Sequence, residues 1–184
     1  KQTTLAIHVD DGLTTSEDLN DLILLQSQLK EKFDEMECML AEGKLEYLGM
    51  QIDISDGEKA ILTMEKYVSD ILNENDVTST AETPASSNLF TIDESTALSE
   101  DKRQRFHRVV AQLLYLATRT RPDILLPITF LCSRVSLATE QDNGKLNRVL
   151  AYLNNTKKLG IVIGCKGEDV SLSVYADASY AVHG

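Results

Sequence analysis

Hydrophobic and polar positions at the start of the chain follow a pattern that is typical of a β-hairpin. Residues 3–9 are mostly apolar or β-branched and lead into Asp10, Asp11 and Gly12, and a second β-prone run ends at Ser16. Asp-Gly between two such runs favours a tight turn, because a type I′ turn requires positive φ at both central residues. The pattern therefore predicts a hairpin with Asp10 and Asp11 at or beside its turn.

Apolar residues then recur every three or four positions, which predicts a helix that Ser16 caps and that ends near Phe33. We expect the apolar stripe of this helix to pack against a core. The stripe consists of Leu19, Leu22, Ile23, Leu25 or Gln26, Leu29 and Phe33.

The residues that follow predict short strands joined by turns. One strand is expected over 36–40 and another from Leu45 to Ile54, where apolar and polar residues alternate from Leu48 onward. Asp56-Gly57 predicts a turn into a partner strand over 59–63. A helix over 64–75, capped by Thr63, is then expected to bury Val68, Ile71 and Leu72.

The second half of the chain predicts a small antiparallel bundle of three helices. The helices are expected from about 100 to 118, from Pro122 onward, and from about 139 to 155. Their expected core residues are Phe106, Val109, Val110, Leu113, Leu114, Leu116, Ile124, Leu125, Ile128, Phe130, Leu131, Val135, Leu146, Val149, Leu150 and Leu153. A strand over 170–175 then leads to Asp177.

These elements predict an α+β fold in which β-hairpins and helices are followed by a helical bundle and a C-terminal β segment. The expected divisions are 1–75, a polar linker or surface strap over 76–98, the bundle over 99–157, and the β segment over 158–184.

Composition narrows the class of protein. A content of 42% hydrophobic and 26% charged residues is ordinary for a soluble globular chain, and no apolar run is long enough to span a membrane. Few aromatic residues and no Trp argue against an aromatic surface for stacking bases. Cys38, Cys132 and Cys165 lack the spacing of zinc ligands, so we expect reduced thiols in an intracellular compartment.

Charge is distributed unevenly along the chain. The net charge of −11 argues against nucleic-acid binding by the chain as a whole. Residues 100–166, however, carry twelve Lys or Arg and five Asp or Glu, so this segment is basic and the remainder is strongly acidic. The basic helices could face phosphates, although charge alone favours an ordinary solvated surface.

The adjacent carboxylates of Asp10 and Asp11 allow two interpretations. Asp before Gly is ordinary turn chemistry, so the pair can be purely structural. Alternatively, a rigid hairpin holds two carboxylates close together, and a hard divalent cation would relieve their repulsion.

Five blocks, in order, resemble the reverse transcriptase and ribonuclease H region of copia-type retrotransposon polyproteins. HVDDGLTTS resembles the Tyr-x-Asp-Asp hairpin of reverse transcriptases, and EYLGMQI resembles the Leu-Gly strand that begins the primer-grip hairpin. FHRVVAQLLYLATRTRPDILLPITFLCSR and KLNRVLAYLNNTKKLGI resemble copia-type segments that follow the polymerase palm. YADASYAVHG resembles the opening strand of ribonuclease H.

The resemblance implies a partial polymerase palm and two-metal chemistry with Mg²⁺, or Mn²⁺ in its place. Asp10 matches a carboxylate that holds metal and Asp11 matches a supporting one. Asp177 matches the first carboxylate of ribonuclease H, which is itself a two-metal nuclease.

The resemblance also implies residues that position nucleic acid. Leu48 and Gly49 match the strand that places the primer end. Arg119 and Arg121 belong to the helical region over 100–155, which matches the region from thumb to connection and whose basic face would follow the hybrid backbone. The implied partners are the RNA template, the RNA–DNA hybrid and the remaining polyprotein segments, with no membrane. The implied location is a cytoplasmic particle, the nucleus or both.

The chain departs from the family pattern at several points. His8 replaces the usual Tyr, Met64 replaces a frequent Gln, and Leu137-Ala138-Thr139 replaces a Pro-Thr pair. The earlier polymerase carboxylate, the fingers and the later ribonuclease H ligands also lie outside the sequence. We therefore expect a reverse transcriptase fragment that is inactive alone. The alternatives are a non-catalytic module that binds nucleic acid or protein, and an unrelated cellular α+β protein.

Overall fold

The computed structural model describes residues 2–33, 37, 43–55, 57 and 59–164. Within these residues the fold is α+β, as predicted, with two antiparallel sheets and helices after each. The strands are β1 (Thr3–His8), β2 (Asp11–Ser16), β3 (Lys44–Tyr47), β4 (Met50–Asp53), β5 (Lys59–Thr63) and β6 (Ile161–Gly164). The α-helices are α1 (Leu19–Lys32), α2 (Glu65–Glu74), α3 (Glu100–Arg119), α4 (Leu125–Arg134) and α5 (Glu140–Asn155).

Strands β1 and β2 form the predicted hairpin, but the turn lies earlier than Asp-Gly suggests. His8 pairs with Asp11 and Ile7 pairs with Gly12, so the loop consists of Val9 and Asp10. The register explains the shift, because it pairs all of residues 3–8 with residues 11–16. A turn at Asp11-Gly12 would leave fewer partners before the chain turns into α1.

Helix α1 differs from its predicted packing. Asp18, rather than Ser16, is the N-cap, and its side chain accepts a hydrogen bond from the Asn20 amide at 2.9 Å. None of its residues is fully buried, and Leu19 and Phe33 are each 58% exposed. Helix α1 packs against β2, and one hairpin offers too little surface to enclose a helix. The expected core-packing stripe is therefore wrong for this helix.

The second sheet has the antiparallel order β3-β4-β5-β6. The prediction of one strand from Leu45 to Ile54 is wrong in its middle, because Leu48 and Gly49 form a two-residue turn between Tyr47 and Met50. Their φ angles of 51° and 72° are both left-handed, as a type I′ turn requires. The partner strand over 59–63 is confirmed. The strand predicted over 36–40 lies almost entirely outside the described residues, and the strand predicted over 170–175 lies wholly outside them.

Helices α2 to α5 enclose the hydrophobic core. Val68, Ile71 and Leu72 are buried as predicted, although Met64 rather than Thr63 is the N-cap of α2. Thr139 and Asp142 form a capping box at the start of α5. Most predicted bundle positions are fully buried, but Leu114 and Leu125 are more than a third exposed and Val135 is only partly buried.

Residues 76–98 lie against α5 and are held there by hydrogen bonds. The Ala81 amide donates to the Ala151 carbonyl at 3.1 Å, and the Leu98 amide donates to the Ala138 carbonyl at 2.9 Å. The side-chain amide of Asn154 also donates to the Ser79 carbonyl at 2.9 Å. The segment thus extends the surface of the bundle, while the four sequence divisions remain predictions. None of the helices in the described part of the chain has the length and apolarity needed to cross a bilayer.

Candidate nucleic-acid interface

The tip of the β1–β2 hairpin presents two consecutive carboxylates to solvent. Asp10 lies in the turn and Asp11 is the first residue of β2, directly opposite His8. Both residues are exposed. Val9 precedes them with a φ of 53°, which is a strained angle for a β-branched side chain, and it is 81% exposed. The tip therefore combines local backbone strain with a dense negative charge.

A divalent cation suits the donor chemistry of this tip, but the tip supplies only part of a ligand set. Mg²⁺ favours octahedral coordination by oxygen atoms, and carboxylates are its usual protein ligands. Across the residues that the structure describes, no group of three or more His, Cys, Asp or Glu side chains is arranged to hold a metal. Asp10 and Asp11 would thus need oxygen ligands from water, a substrate or another protein segment.

A second constellation forms where the β3–β4 turn meets α3. The Tyr115 hydroxyl donates a hydrogen bond to the Leu48 carbonyl at 3.0 Å. Leu48 holds a left-handed φ without being glycine, a conformation that costs about 1–2 kcal/mol for an L-residue. Such strain persists where surrounding contacts determine the backbone, and Leu48 packs partly buried against the core.

Tyr67 of α2 supports Tyr115 from the side. Their ring centroids are 5.8 Å apart in an edge-to-face arrangement, and the Tyr67 hydroxyl donates to the Gln112 carbonyl at 3.4 Å. Burial raises the pKa of Tyr67, and the neighbouring Tyr115 and Glu74 raise that pKa further. The phenol of Tyr67 therefore stays a neutral hydrogen-bond donor inside this cluster.

Arg119 lies on the other side of Tyr115. Its guanidinium carbon is 5.2 Å from the Tyr115 ring centroid, within the range of a cation–π interaction. Leu48, Gly49 and Arg119, three of the four residues predicted to position nucleic acid, are thus linked through one tyrosine. Sequence reasoning missed Tyr115, although its position four residues before Arg119 places both on one helical face.

Arg119 belongs to a row of cations along α3. Arg105, Arg108, Tyr115 and Arg119 recur at helical spacing and share one face of the helix. Among the described residues, none of these three arginines forms an ion pair with a carboxylate. Lys102 and Arg103 on the same helix, in contrast, pair with Glu140 and Glu100. The row offers three positive charges that no described carboxylate neutralises.

Arg121, the fourth predicted positioning residue, lies in the interior with 1% exposure. Its Nε and Nη2 donate to the two carboxylate oxygens of Asp123 at 2.9 and 2.7 Å. Its Nη1 donates to the Thr156 carbonyl at 2.9 Å, and the Tyr152 ring lies 5.5 Å away. This geometry gives Arg121 a structural role, because a direct contact with a phosphate would require breaking the network.

Asp123 is the centre of that network. Partial burial acts to raise the pKa of its carboxyl, but hydrogen bonds from Arg121 and Tyr152 and the Arg121 charge lower the pKa more. Burial and the adjacent Asp123 raise the pKa of Tyr152, whose hydroxyl donates to Asp123 Oδ2 at 2.8 Å. The network ties the α3–α4 junction to the end of α5. Asp177, the last predicted site residue, lies outside the described residues.

Comparison with known proteins identifies relatives along nearly the whole chain. A putative transposon Ty5-1 protein of Saccharomyces cerevisiae is 26% identical over 185 residues, which cover 97% of the chain and 58% of that protein. The retrovirus-related Pol polyprotein from transposon RE2 of Arabidopsis thaliana is 30% identical over 96% of the chain, which spans only 12% of the polyprotein. No protein-family model and no solved structure matches.

One relative matches over most of its own length. An uncharacterized mitochondrial protein of Arabidopsis thaliana is 32% identical over 181 residues, which cover 96% of the chain and 71% of that protein. The Pol polyprotein from transposon RE1 of the same plant is 30% identical over 96% of the chain. The chain is thus similar to transposon Pol polyproteins along nearly its whole length, and it belongs to one family with the Arabidopsis mitochondrial protein.

Proposed function

We propose that the chain is part of a copia-type RNA-directed DNA polymerase, running at its C-terminal end into ribonuclease H. The observation that carries this proposal is the exposed pair of consecutive carboxylates, Asp10 and Asp11, at a two-residue hairpin turn. Similarity to retrotransposon Pol polyproteins supports it, and so does the row of three arginines on α3, which pair with no carboxylate of the described residues.

The carboxylates would perform the metal-holding role. Asp10 would bind the cation directly and Asp11 would support it, while Asp177 would do the same in ribonuclease H. When bound, Mg²⁺ or Mn²⁺ activates the primer 3′-hydroxyl and stabilises the leaving pyrophosphate. The two carboxylates need further ligands, which we assign to an earlier strand of the parent polyprotein.

The turn and the arginine row would position nucleic acid. Arginines that pair with no carboxylate are free to neutralise phosphates, and such contacts place a duplex without reading its sequence. Leu48 and Gly49 would contact the primer end, with the RNA template and the RNA–DNA hybrid as partners. This assignment suits a protein that works in a cytoplasmic particle or the nucleus beside other polyprotein segments.

Binding of an RNA–DNA hybrid tests the positioning role directly. We expect fluorescence anisotropy to show binding that weakens steeply with salt, because each neutralised phosphate releases counterions. Arg108→Gln should weaken binding and lower the salt slope by about one unit. Lys102→Gln is the matched control, since Lys102 is already paired with Glu140 at 2.6 Å. Absence of binding at low salt, or equal effects of both variants, would contradict the positioning role.

Activity assays test the metal role. We expect no nucleotide incorporation by the isolated chain on a primed RNA template with Mg²⁺, and only weak binding of Mn²⁺ by calorimetry. The full-length polyprotein should incorporate nucleotides and lose this activity with Asp10→Asn. Clear incorporation by the isolated chain, or tight Mn²⁺ binding abolished by Asp10→Ala, would show that the ligand set is complete without a further segment.

A non-catalytic interaction module is the second candidate function. The observation in its favour is that Asp10 and Asp11 have no third ligand among the described residues. Under this alternative, hybrid or protein binding would persist in the full-length protein while Asp10→Asn would change nothing. The same pair of assays therefore separates the two candidates.

A further inference from the structure

We propose that Tyr115 is a positioning residue that holds the Leu48–Gly49 turn and Arg119 together as one nucleic-acid contact surface. The inference rests on the proposed function and extends it to a side chain that contacts neither metal nor reacting atoms. Tyr115 joins three parts of the fold at one point: the β3–β4 turn, α2 and α3.

The first argument is the orientation of the turn. The β3–β4 loop has only two residues, both with positive φ, so its own backbone conformation is narrowly defined. What local geometry leaves open is the placement of the loop relative to α3. The hydrogen bond from the Tyr115 hydroxyl to the Leu48 carbonyl, at 3.0 Å, ties the loop to the helix directly.

The second argument is the orientation of the cation. An arginine side chain on a helix surface has several rotatable bonds and samples many positions. The Tyr115 ring restricts that freedom, because the Arg119 guanidinium lies 5.2 Å from the ring centroid. One tyrosine side chain therefore fixes the carbonyl of the turn through its hydroxyl, and through its ring the direction of a charge that no described carboxylate neutralises.

The third argument is the rigidity of the ring itself. Tyr67 contacts Tyr115 edge-on at 5.8 Å, and the Tyr67 hydroxyl is bonded to the Gln112 carbonyl one helical turn earlier in α3. Tyr115 is nevertheless 38% exposed, so the surface that it organises is open to a large ligand. A duplex that contacts the turn and Arg119 would meet a preformed surface.

The test uses two variants that each remove one hydroxyl. Tyr115→Phe deletes the bond to Leu48 and keeps the ring for Arg119 and Tyr67. Tyr67→Phe is the matched control, because it deletes a phenol bond to a different carbonyl in the same cluster. The two variants are measured at a temperature well below the lower of their thermal unfolding midpoints. A loss of stability is then not mistaken for a loss of binding.

The first measurement needs no nucleic acid. The Leu48 carbonyl and the Gly49 amide belong to one peptide group, so loss of the hydrogen bond changes the polarisation of that group. We expect the ¹⁵N resonance of Gly49 to move in Tyr115→Phe and to stay in place in Tyr67→Phe. An unchanged Gly49 resonance would overturn the link between Tyr115 and the turn.

The second measurement is affinity for an RNA–DNA hybrid. Loss of one hydrogen bond that orients the surface should weaken binding about three- to tenfold. Arg119→Gln should also cost less affinity in the Tyr115→Phe background than in the wild type, since the two act through one surface. A general loss of stability would not produce this non-additivity.

The outcomes separate the inference from the function on which it rests. If the wild type binds the hybrid and Tyr115→Phe binds equally well, Tyr115 is not a positioning residue while the proposed function stands. If the wild type does not bind, the proposed positioning role fails and the assignment of Tyr115 to nucleic acid falls with it. The Gly49 resonance would then still decide whether Tyr115 holds the turn.

Discussion

Replacing Asp123 by Asn should destabilise the fold and remove part of its acid sensitivity. The carboxylate accepts hydrogen bonds at 2.9 and 2.7 Å from Arg121 and at 2.8 Å from Tyr152. Asn has nearly the same shape but removes the negative charge, so the Arg121 guanidinium, 1% exposed, keeps only neutral acceptors. The change therefore isolates the electrostatic part of the network from its packing.

The magnitude follows from two opposing effects. Removing one partner of a fully buried ion pair costs about 3–5 kcal/mol, because the remaining charge is left uncompensated. The Asp123 side chain is 34% exposed, so water already screens part of this interaction. We expect a loss of about 2–3 kcal/mol in the free energy of unfolding. At about 2–4 °C per kcal/mol for a chain of this size, the unfolding midpoint should fall by about 4–12 °C.

The assay is urea unfolding followed by circular dichroism, repeated over a range of acidic pH. The pKa of Asp123 is lowered in the folded state, so its contribution is complete above the ordinary value of 3.8 and is lost as the pH falls through the lowered value. The difference between wild type and Asp123→Asn should thus be constant near neutral pH and shrink in acid. Asp70→Asn, at an exposed position of α2, is the control and should change stability by less than about 0.5 kcal/mol. The reasoning would be refuted if Asp123→Asn lowered the free energy of unfolding by less than about 0.5 kcal/mol, or if its loss of stability grew as the pH fell.

Two further predictions concern the backbone. Gly160→Ala should disrupt the pairing of β5 with β6, because the new methyl carbon would lie 2.1 Å from the Leu62 carbonyl oxygen. Gly144→Ala in α5, where a methyl group meets nothing within 4 Å, should instead stabilise the fold by about 1 kcal/mol. Thermal unfolding should show a lower midpoint for Gly160→Ala and a higher midpoint for Gly144→Ala. Val9→Asn should relieve the strain at φ 53° without losing packing, since Val9 is 81% exposed. Hydrogen exchange of the β1 and β2 amides should then slow, and faster exchange would contradict the strain argument.

Local signals in the sequence located elements better than they located turns. The β1–β2 hairpin follows from its β-prone runs, and the burial of α2 follows from its helical period. The turn at Leu48-Gly49 escaped prediction because apolar residues continue through it without a polar break. At Asp11-Gly12 the local preference for a turn was overridden by the longer register that a Val9-Asp10 loop allows.

Side-chain roles were harder to predict than elements, because burial depends on distant partners. In the sequence Arg121 looks like a surface cation. In the structure it lies in the interior, where its guanidinium donates a hydrogen bond to the carbonyl of Thr156, far along the chain. The apolar stripe of α1 has the period of a helix, but the β1–β2 hairpin against which it packs is too small to bury it. Tyr115 carries no distinguishing signal, since its role arises only where α3 meets the β3–β4 turn.

The position of β6 in the second sheet has a consequence for how the chain folds. Lys59 pairs with Gly164, so the fourth strand joins only after the intervening helices have brought the chain back. Closing so long a loop costs entropy that local contacts do not repay, which makes β6 a late addition in folding. A chain shortened before Ile161 would keep the helices but leave β5 as an open edge, with backbone groups available to pair with another molecule. In the described part of the chain, β6 thus covers β5 and becomes the outer strand of the sheet in its place.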